Sequence, residues 1–444
     1  MTAGELLTRL DSPASSHALS LLYGDPERSR KRAKSLIKGL SENFSGAGEN
    51  VRLFSAPGRT ELGGNHTDHN RGRVLAASIQ LDILAAVSPR KDRKVIFRST
   101  GFDDVELDLS GPGGDSGEKG STHSLIRGIA AAFALRGIDV RGFTGNAESL
   151  VFPGSGLSSS AAVEVLIACI FDRLSGGGRL DSLEIAKIGQ WAENEYFGKP
   201  SGLMDQAACA SGGAVSIDFE ETENPKVTAV PFNPEAAGFA LCVVDTRGSH
   251  AGLTPDYAAI PSEMKAIAGF FGKSVLRETS RQELLGHCGE LRARFGDRAL
   301  LRALHFFAEN DRVSLMTRAL EDLNAETDRA AKGKIMERFL GLVNQSGLSS
   351  SAMLQNIYSI KRPKEQGVSL ALALTGDFLE NQARAGRTVN GASRVHGGGF
   401  AGTIQAYIPL ESLPAYTEKM EAVFGRGTVT PLTIRPIGAA EIEL

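Results

Sequence analysis

The stretch VFPGSGLSSSAAVEVL, Val151 to Leu166, sets three serines between a glycine-rich approach and an apolar run. Glycines at 154 and 156 let the backbone come close to a ligand, because no Cβ stands in the way. Val163, Leu166, Ile167 and Ile170 follow at helical spacing, so a helix is expected over Ser160 to Asp172. Ser158, Ser159 and Ser160 then open that helix, where unpaired N–H groups and the positive dipole end form an anion site. Serine hydroxyls placed there can also ligate Mg²⁺. A plain serine cap after a turn stays open as the second reading. The string GLSSSA returns at Gly347 to Ala352 without the preceding GxG, and there capping alone is expected.

Upstream, SAPGRTELGGNHTDHNRGRVLAASI (Ser55 to Ile79) gathers Arg59, Glu61, Asn65, His66, Asp68 and His69 between two strand-like runs. A loop so rich in chargeable groups, held between strands, suits substrate recognition. Asp68 can accept two sugar hydroxyls, and Arg59 can neutralise a phosphate or a carboxylate. A metal reading of His66 to His69 lacks a third distant ligand of suitable spacing. Downstream, GLMDQAACASGGAVSIDF (Gly202 to Phe219) places Asp205 beside an Ala-rich stretch. There it is either a general base or orienting acceptor, or an exposed loop or cap residue. Gly397 to Gly402 matches GxGxxG, but a strand follows it instead of a helix, so a dinucleotide fingerprint is excluded. GPGGDSGEKGST (Gly111 to Thr122) lacks the GxxxxGK[ST] spacing and is read as an exposed loop.

Around these segments helices and strands intermix, which predicts an α+β chain. Asp25, Pro26 and Glu27 start a helix whose apolar face runs through Ala33, Leu36, Ile37, Leu40 and Phe44. Its other face, with Arg28, Lys31, Arg32 and Lys38, is expected to be solvated. Strands are expected at Val51 to Phe54, Val74 to Pro89, Phe239 to Val244 and Thr403 to Ile408, and helices over Leu183 to Phe197, Pro261 to about Asn344, and Leu370 to Ala385. The 444 residues carry a net charge of −3, which speaks against nucleic-acid and membrane partners. No apolar run reaches the ~20 residues that span a bilayer, and the N-terminus has no signal-peptide pattern. The four separated cysteines suit a reducing compartment, so a cytoplasmic protein is expected. Nothing in the sequence specifies an oligomeric state.

Taken in order, these segments resemble the galactokinase branch of the GHMP kinases. That family reads GRxNxxGEHxDY, PxGxGLSSSA, GxMDQ and GGGFGG where this chain has Gly58 to His69, Gly154 to Ala161, Gly202 to Gln206 and Gly397 to Gly402. The resemblance implies a two-domain GHMP kinase fold with the active site in the inter-domain cleft. Residues 1–50 would be an N-terminal helical extension, 51–236 the N-terminal domain with the sugar and phosphate-loop motifs, and 237–444 the C-terminal domain. ATP phosphates would lie along Gly154, Ser155, Gly156, Leu157, Ser158, Ser159 and Ser160, with Ser160 and Glu193 holding Mg²⁺. Asp205 would be the base or orienter of the anomeric hydroxyl, and Arg59 its cationic partner. Asn65, His66, Asp68 and Tyr257 would bind the sugar. The expected activity is phosphoryl transfer from ATP to the anomeric hydroxyl of a small sugar, galactose first. Three departures stand out. Acid and amide are exchanged between Glu61 and Asn65, which opens galacturonate as an alternative substrate. His69 replaces a tyrosine, and Pro153 lies one place late. A catalytically silent sugar and ATP sensor is the alternative outside enzymes.

Overall fold

The computed structural model describes residues 1–111, 118–151, 156–199, 201–384 and 391–444. Three helices come first: α1 (Ala3–Arg9), α2 (Pro13–Tyr23) and α3 (Pro26–Asn43). Asp25 caps α3 by accepting from the N–H groups of Glu27 and Arg28 at 3.1 and 3.2 Å, with Pro26 in the first turn. Such a cap contributes about 1 kcal/mol.

Two long strands follow, β1 (Arg52–Gly63) and β2 (Arg73–Pro89). The first strand therefore runs well past Phe54, and Arg59 and Glu61 stand on it instead of in a loop. Only residues 64–72 connect the two. Gly64 is required there by a φ of +95° and by Arg73 O, which a Cβ would meet at 2.6 Å. Next come β3 (Lys94–Ser99), β4 (Val105–Asp108), α4 (Thr122–Ala134), β5 (Phe143–Ser149), α5 (Ser159–Phe171), α6 (Ser182–Ala192), α7 (Met204–Ser211), β6 (Ala214–Asp218) and β7 (Lys226–Ala229). The first half of β2 pairs with β6 and the second half with β5, so one long strand serves two neighbours on the same side.

The rest of the chain supplies β8 (Phe239–Asp245), α8 (Thr254–Phe270), α9 (Arg281–Gly286), α10 (Cys288–Ala325), α11 (Arg329–Ser349), α12 (Gly367–Arg384), β9 (Ala392–Val395), β10 (Thr403–Pro409), α13 (Leu413–Phe424), β11 (Val429–Leu432) and β12 (Ala440–Glu441). The first sheet has the order β12-β1-β2-β5-β3-β4, with β6 paired to β2 and β7 to β6. A second, antiparallel sheet has the order β11-β8-β10-β9. The α+β expectation is met.

Apolar periodicity determines which faces close. Phe54, Val87 and Phe143 of the first sheet pack with Phe133, Ile167 and Phe171 of α4 and α5. The opposite face carries Leu53, Leu84 and Ala86 against Leu19, Leu22, Leu36, Ile37 and Leu40 of the N-terminal helices. Each of these aliphatic chains contributes about 1.5–3 kcal/mol on full burial. A third cluster joins Leu62, Leu75 and Leu157 to Leu241, Val313, Phe339 and Tyr407, and so ties the two sheets together.

Two expectations are corrected. Arg32 is not on a solvated face: its side chain is 8% exposed and pairs with the buried Asp82. The second GLSSSA does not cap a helix start; it ends α11 and widens into a π-type turn over Ser350–Leu354. The expected helix end at Ala385 and the tip 112–117 of the Gly111 loop lie outside the described residues. No helix among the described residues is long and apolar enough to cross a membrane.

Candidate active site

Three elements converge on one cleft. Strand β1 shifts register between Pro57 and Arg59, and this bulge sends Arg59 toward the start of α5. Arg59 N donates to Leu157 O at 3.0 Å, and its Nη1 donates to Gly156 O at 2.5 Å. Gly58 makes the approach possible, since a Cβ there would meet Leu157 O at 2.7 Å. Asp205 comes from the first turn of α7. Arg59 Nε and Nη2 reach Asp205 Oδ1 at 2.8 and 2.7 Å, and the Ser158 hydroxyl donates to Asp205 Oδ2. Burial raises the Asp205 carboxyl, but Arg59 and Ser158 outweigh it and hold the group below the ordinary carboxylate range. Asp205 is thus an ionised acceptor at neutral pH.

Ser158 has φ 61° and ψ 56°, an unfavourable backbone for a residue with a Cβ, and its hydroxyl makes no cap contact. Its side chain turns to Asp205 instead, which removes the plain-cap reading. Gly156, Leu157, Ser159 and Ser160 follow the same loop into α5, with Ser160 exposed. Gly154 and Ser155 lie outside the described residues, as does Pro153.

Beside Asp205, Glu193 is buried and bridged to Lys199 Nζ at 2.8 Å and to Gln206 Nε2 at 3.0 Å. Gln206 Nε2 also donates to Glu164 at 2.8 Å. Glu164 is fully buried, and burial together with the neighbouring Glu193 charge pushes its carboxyl well up. Its Oε1 has no partner. Lys199, Gln206 and Glu164 were not among the expected site residues; Gln206 stood in the MDQ string, whereas Lys199 had no distinguishing sequence signal. Among the described residues no three His, Cys, Asp or Glu side chains form a closed metal cage. The exposed Ser160 hydroxyl and the buried carboxylates of Glu164 and Glu193 are of a donor chemistry that suits Mg²⁺, which keeps waters and phosphate oxygens among its ligands.

The other wall of the cleft is built by residues 64–72 and the Gly397 loop. Asp68 Oδ1 accepts from His69 N at 2.9 Å, and a Cβ on Gly202 would stand 2.0 Å from Asp68 Oδ2, so any larger residue at 202 displaces the Asp68 carboxylate. His66 Nε2 meets Gly398 O at 3.0 Å; a carbonyl only accepts, so Nε2 carries the proton. Burial brings the His66 imidazole down to about 4, against the raising effect of that hydrogen bond. The Tyr257 hydroxyl donates to Gly399 O at 3.0 Å, and burial keeps it protonated up to about 12. Asn65 donates to Gly397 O at 2.7 Å and to Glu61 at 3.1 Å, while its Oδ1 accepts from Asn356 at 2.8 Å and from Ser350 at 3.4 Å. Its amide is fully engaged. Glu61 forms a buried ion pair with Arg394, a residue the sequence gave no reason to single out. Arg59, Glu61, Asn65, His66, Asp68, Glu193, Lys199, Asp205 and Tyr257 thus line one cleft of about 260 Å³.

Comparison with known proteins assigns the family. Residues 41–89 match the galactokinase galactose-binding signature, and residues 124–213 match the GHMP kinases N-terminal domain. A galactokinase of Streptomyces coelicolor is 30% identical over 378 residues, covering 84% of this chain and 88% of that one. One from Actinobacillus pleuropneumoniae is 29% identical over 360 residues, covering 81% and 85%. The crystal structure of Lactococcus lactis galactokinase complexed with galactose superposes with a TM-score of 0.72, at 23% identity, covering 91% of this chain and 98% of that one. The chain belongs to the galactokinase family, within the GHMP kinases, and is a phosphate-transferring enzyme.

Proposed function

We propose that the protein transfers the γ-phosphoryl group of ATP to the anomeric hydroxyl of galactose. The observation that carries this reading is the Ser158–Asp205–Arg59 chain, which joins the start of α5 to the cleft wall. ATP phosphates belong at the α5 N-terminus, on the loop from Gly154 to Ser160, where N–H groups and the dipole favour anions. The sugar belongs against His66, Asp68 and Tyr257. Its reacting hydroxyl then lies at Asp205. Phosphoryl transfer needs alignment and neutralisation of charge more than covalent help. Arg59 supplies a cation at the junction, and Mg²⁺ held by Ser160 and Glu193 would neutralise phosphate charge.

Asp205 acts as an orienting acceptor. A base works best with a pKa near the working pH, and this carboxyl lies below its ordinary range. Asn65 holds the Gly397 loop in place and does not meet the sugar directly. Two separate sheets support reading 51–236 and 237–444 as the two domains behind the extension 1–50, with β12 returning to the first sheet.

The charge of the cleft favours a neutral sugar over a uronate. Its two described cations, Arg59 and Lys199, are already paired with Asp205 and Glu193, Glu61 is matched by Arg394, and Asp68 adds a further acid. The intact Arg59–Asp205–Ser158 chain supports an active enzyme over a silent sensor. Phosphorus NMR of the product tests the reaction: a sugar phosphate without a free reducing end is expected, and a 6-phosphate with a free reducing end would refute the assignment.

A further inference from the structure

The N-terminal helices α2 and α3 do more than cover one face of the first sheet. Arg32 of α3 and Tyr23 of α2 both reach Asp82, a fully buried carboxylate on β2. The Tyr23 hydroxyl donates to Asp82 Oδ2 at 2.6 Å. Arg32 pairs with Asp82 Oδ1, and its Nε lies 2.9 Å from the Glu148 carboxylate. Arg32 Nη2 also donates to the backbone carbonyls of Glu148 and Asp82. From the far side Arg435, itself fully buried, donates to Ser55 at 2.6 Å and lies 3.5 Å from Asp82. A buried carboxylate flanked by two guanidiniums and two hydroxyls holds its surroundings in one arrangement, because losing a partner leaves charge uncompensated.

Asp82 sits where three chemistry-bearing segments begin or end. It is the register partner of Pro57, at the bulge that delivers Arg59. Its carbonyl accepts from Leu150 N at 2.8 Å, on the approach to the serine loop. Through Arg435 it reaches the end of α7: Arg435 holds Gly438 O at 3.0 Å, and Ala439 N donates to Cys209 O at 3.1 Å. Gly438 allows this contact, since a Cβ there would meet Ala210 O at 2.0 Å.

We infer that Arg32 and Tyr23 are positioning residues for the nucleotide site, acting through Asp82 on the strand that leads into the serine loop. The inference rests on the reading of the α5 N-terminus as the phosphate site. Equilibrium binding of a fluorescent ATP analogue to the full chain tests it without depending on the sugar. Arg32→Met keeps the length of the stem and leaves Asp82 paired with Arg435. It is expected to raise the nucleotide Kd about fivefold, with partial rescue in Arg32→Lys. Tyr23→Phe removes one hydroxyl and is expected to raise the Kd about twofold, which keeps the inference testable if Arg32→Met fails to fold. Lys38→Ala, on the exposed side of α3, should leave the Kd unchanged. A lower melting temperature with wild-type nucleotide affinity in both variants would overturn the inference. Ser159→Glu, which sets a carboxylate among the N–H groups at the α5 start, separates the two claims: if it leaves nucleotide affinity intact, the phosphate-site reading fails, whatever Arg32 does.

Discussion

The string Gly-Leu-Ser-Ser-Ser-Ala occurs twice, at 156–161 and at 347–352, and the two copies stand at opposite ends of their helices. The first opens α5. Its glycine, at φ 72°, lets the turn lie against Thr403, whose Oγ1 a Cβ would meet at 2.8 Å. Ser158 then gives its hydroxyl to Asp205. The second closes α11. Its glycine lets the helix press on β9, where a Cβ would meet Ser393 O at 2.8 Å, and its serines turn inward. Ser349 meets His305 Nδ1 at 2.9 Å, and Ser350 reaches Asn65. One copy borders Asp205 and Arg59; the other braces the opposite wall of the cleft. What separates them is the helix polarity around the string, since only a helix start offers free N–H groups to an anion.

Substitutions at the partners of each copy break this comparison most sharply. Arg59→Met removes the cation of the first copy's network and leaves Asp205 with Ser158 alone; kcat should fall about 10³-fold. Asp205→Asn should lower kcat about 10²-fold, and since the wild-type carboxyl stays ionised, kcat should show no titration of this group between about pH 6 and 8. A bell limb that disappears in Asp205→Asn would make it the base instead. Asn65→Asp is the mirror change at the second copy's partner. It replaces a donor with an acceptor facing Glu61 and Gly397 O, so the sugar KM should rise several-fold with the ATP KM little changed. Smallest, Ser350→Ala should cost about 1 kcal/mol in stability by denaturant unfolding and leave kcat as it is.

The brace also has a pH signature. Burial lowers His66 to about 4, and it lowers His305 and His396 as well. At these three histidines the unfolded chain binds more protons than the folded one between about pH 6.5 and 4, so their contribution to stability rises with pH across that window, against the opposite contribution of the raised Glu164 carboxyl. His305→Gln removes one of these contributions, so the melting-temperature difference between wild type and variant should shift in the variant's favour as pH drops from 6.5 toward 4.

Much of the site was legible because its residues lie in contiguous strings. Arg59, Asp68, Ser158 and Asp205 belong to three short motifs, and the order of those motifs carried the fold with them. Position along a strand was less visible. Polar Thr60 and Glu61 mask the strand signal because their partners, Gln405 and Arg394, come from the distant second sheet. Arg32 looked like one cation among several on a helix face, and only the register of Asp82 across the sheet shows why this one is buried. The exchange of Glu61 and Asn65 was visible as a departure, but its meaning was not. The amide at 65 faces inward to Asn356 and Ser350, contacts set by tertiary packing and by no local pattern.

The most direct test of the account is ADP release from Mg-ATP with galactose and galacturonate supplied side by side to the full chain. The account predicts strong turnover on galactose and little on the uronate, because every described cation in the cleft already has a carboxylate partner. Preference for galacturonate would contradict it, as would the absence of turnover on either sugar while both ATP and sugar still bind.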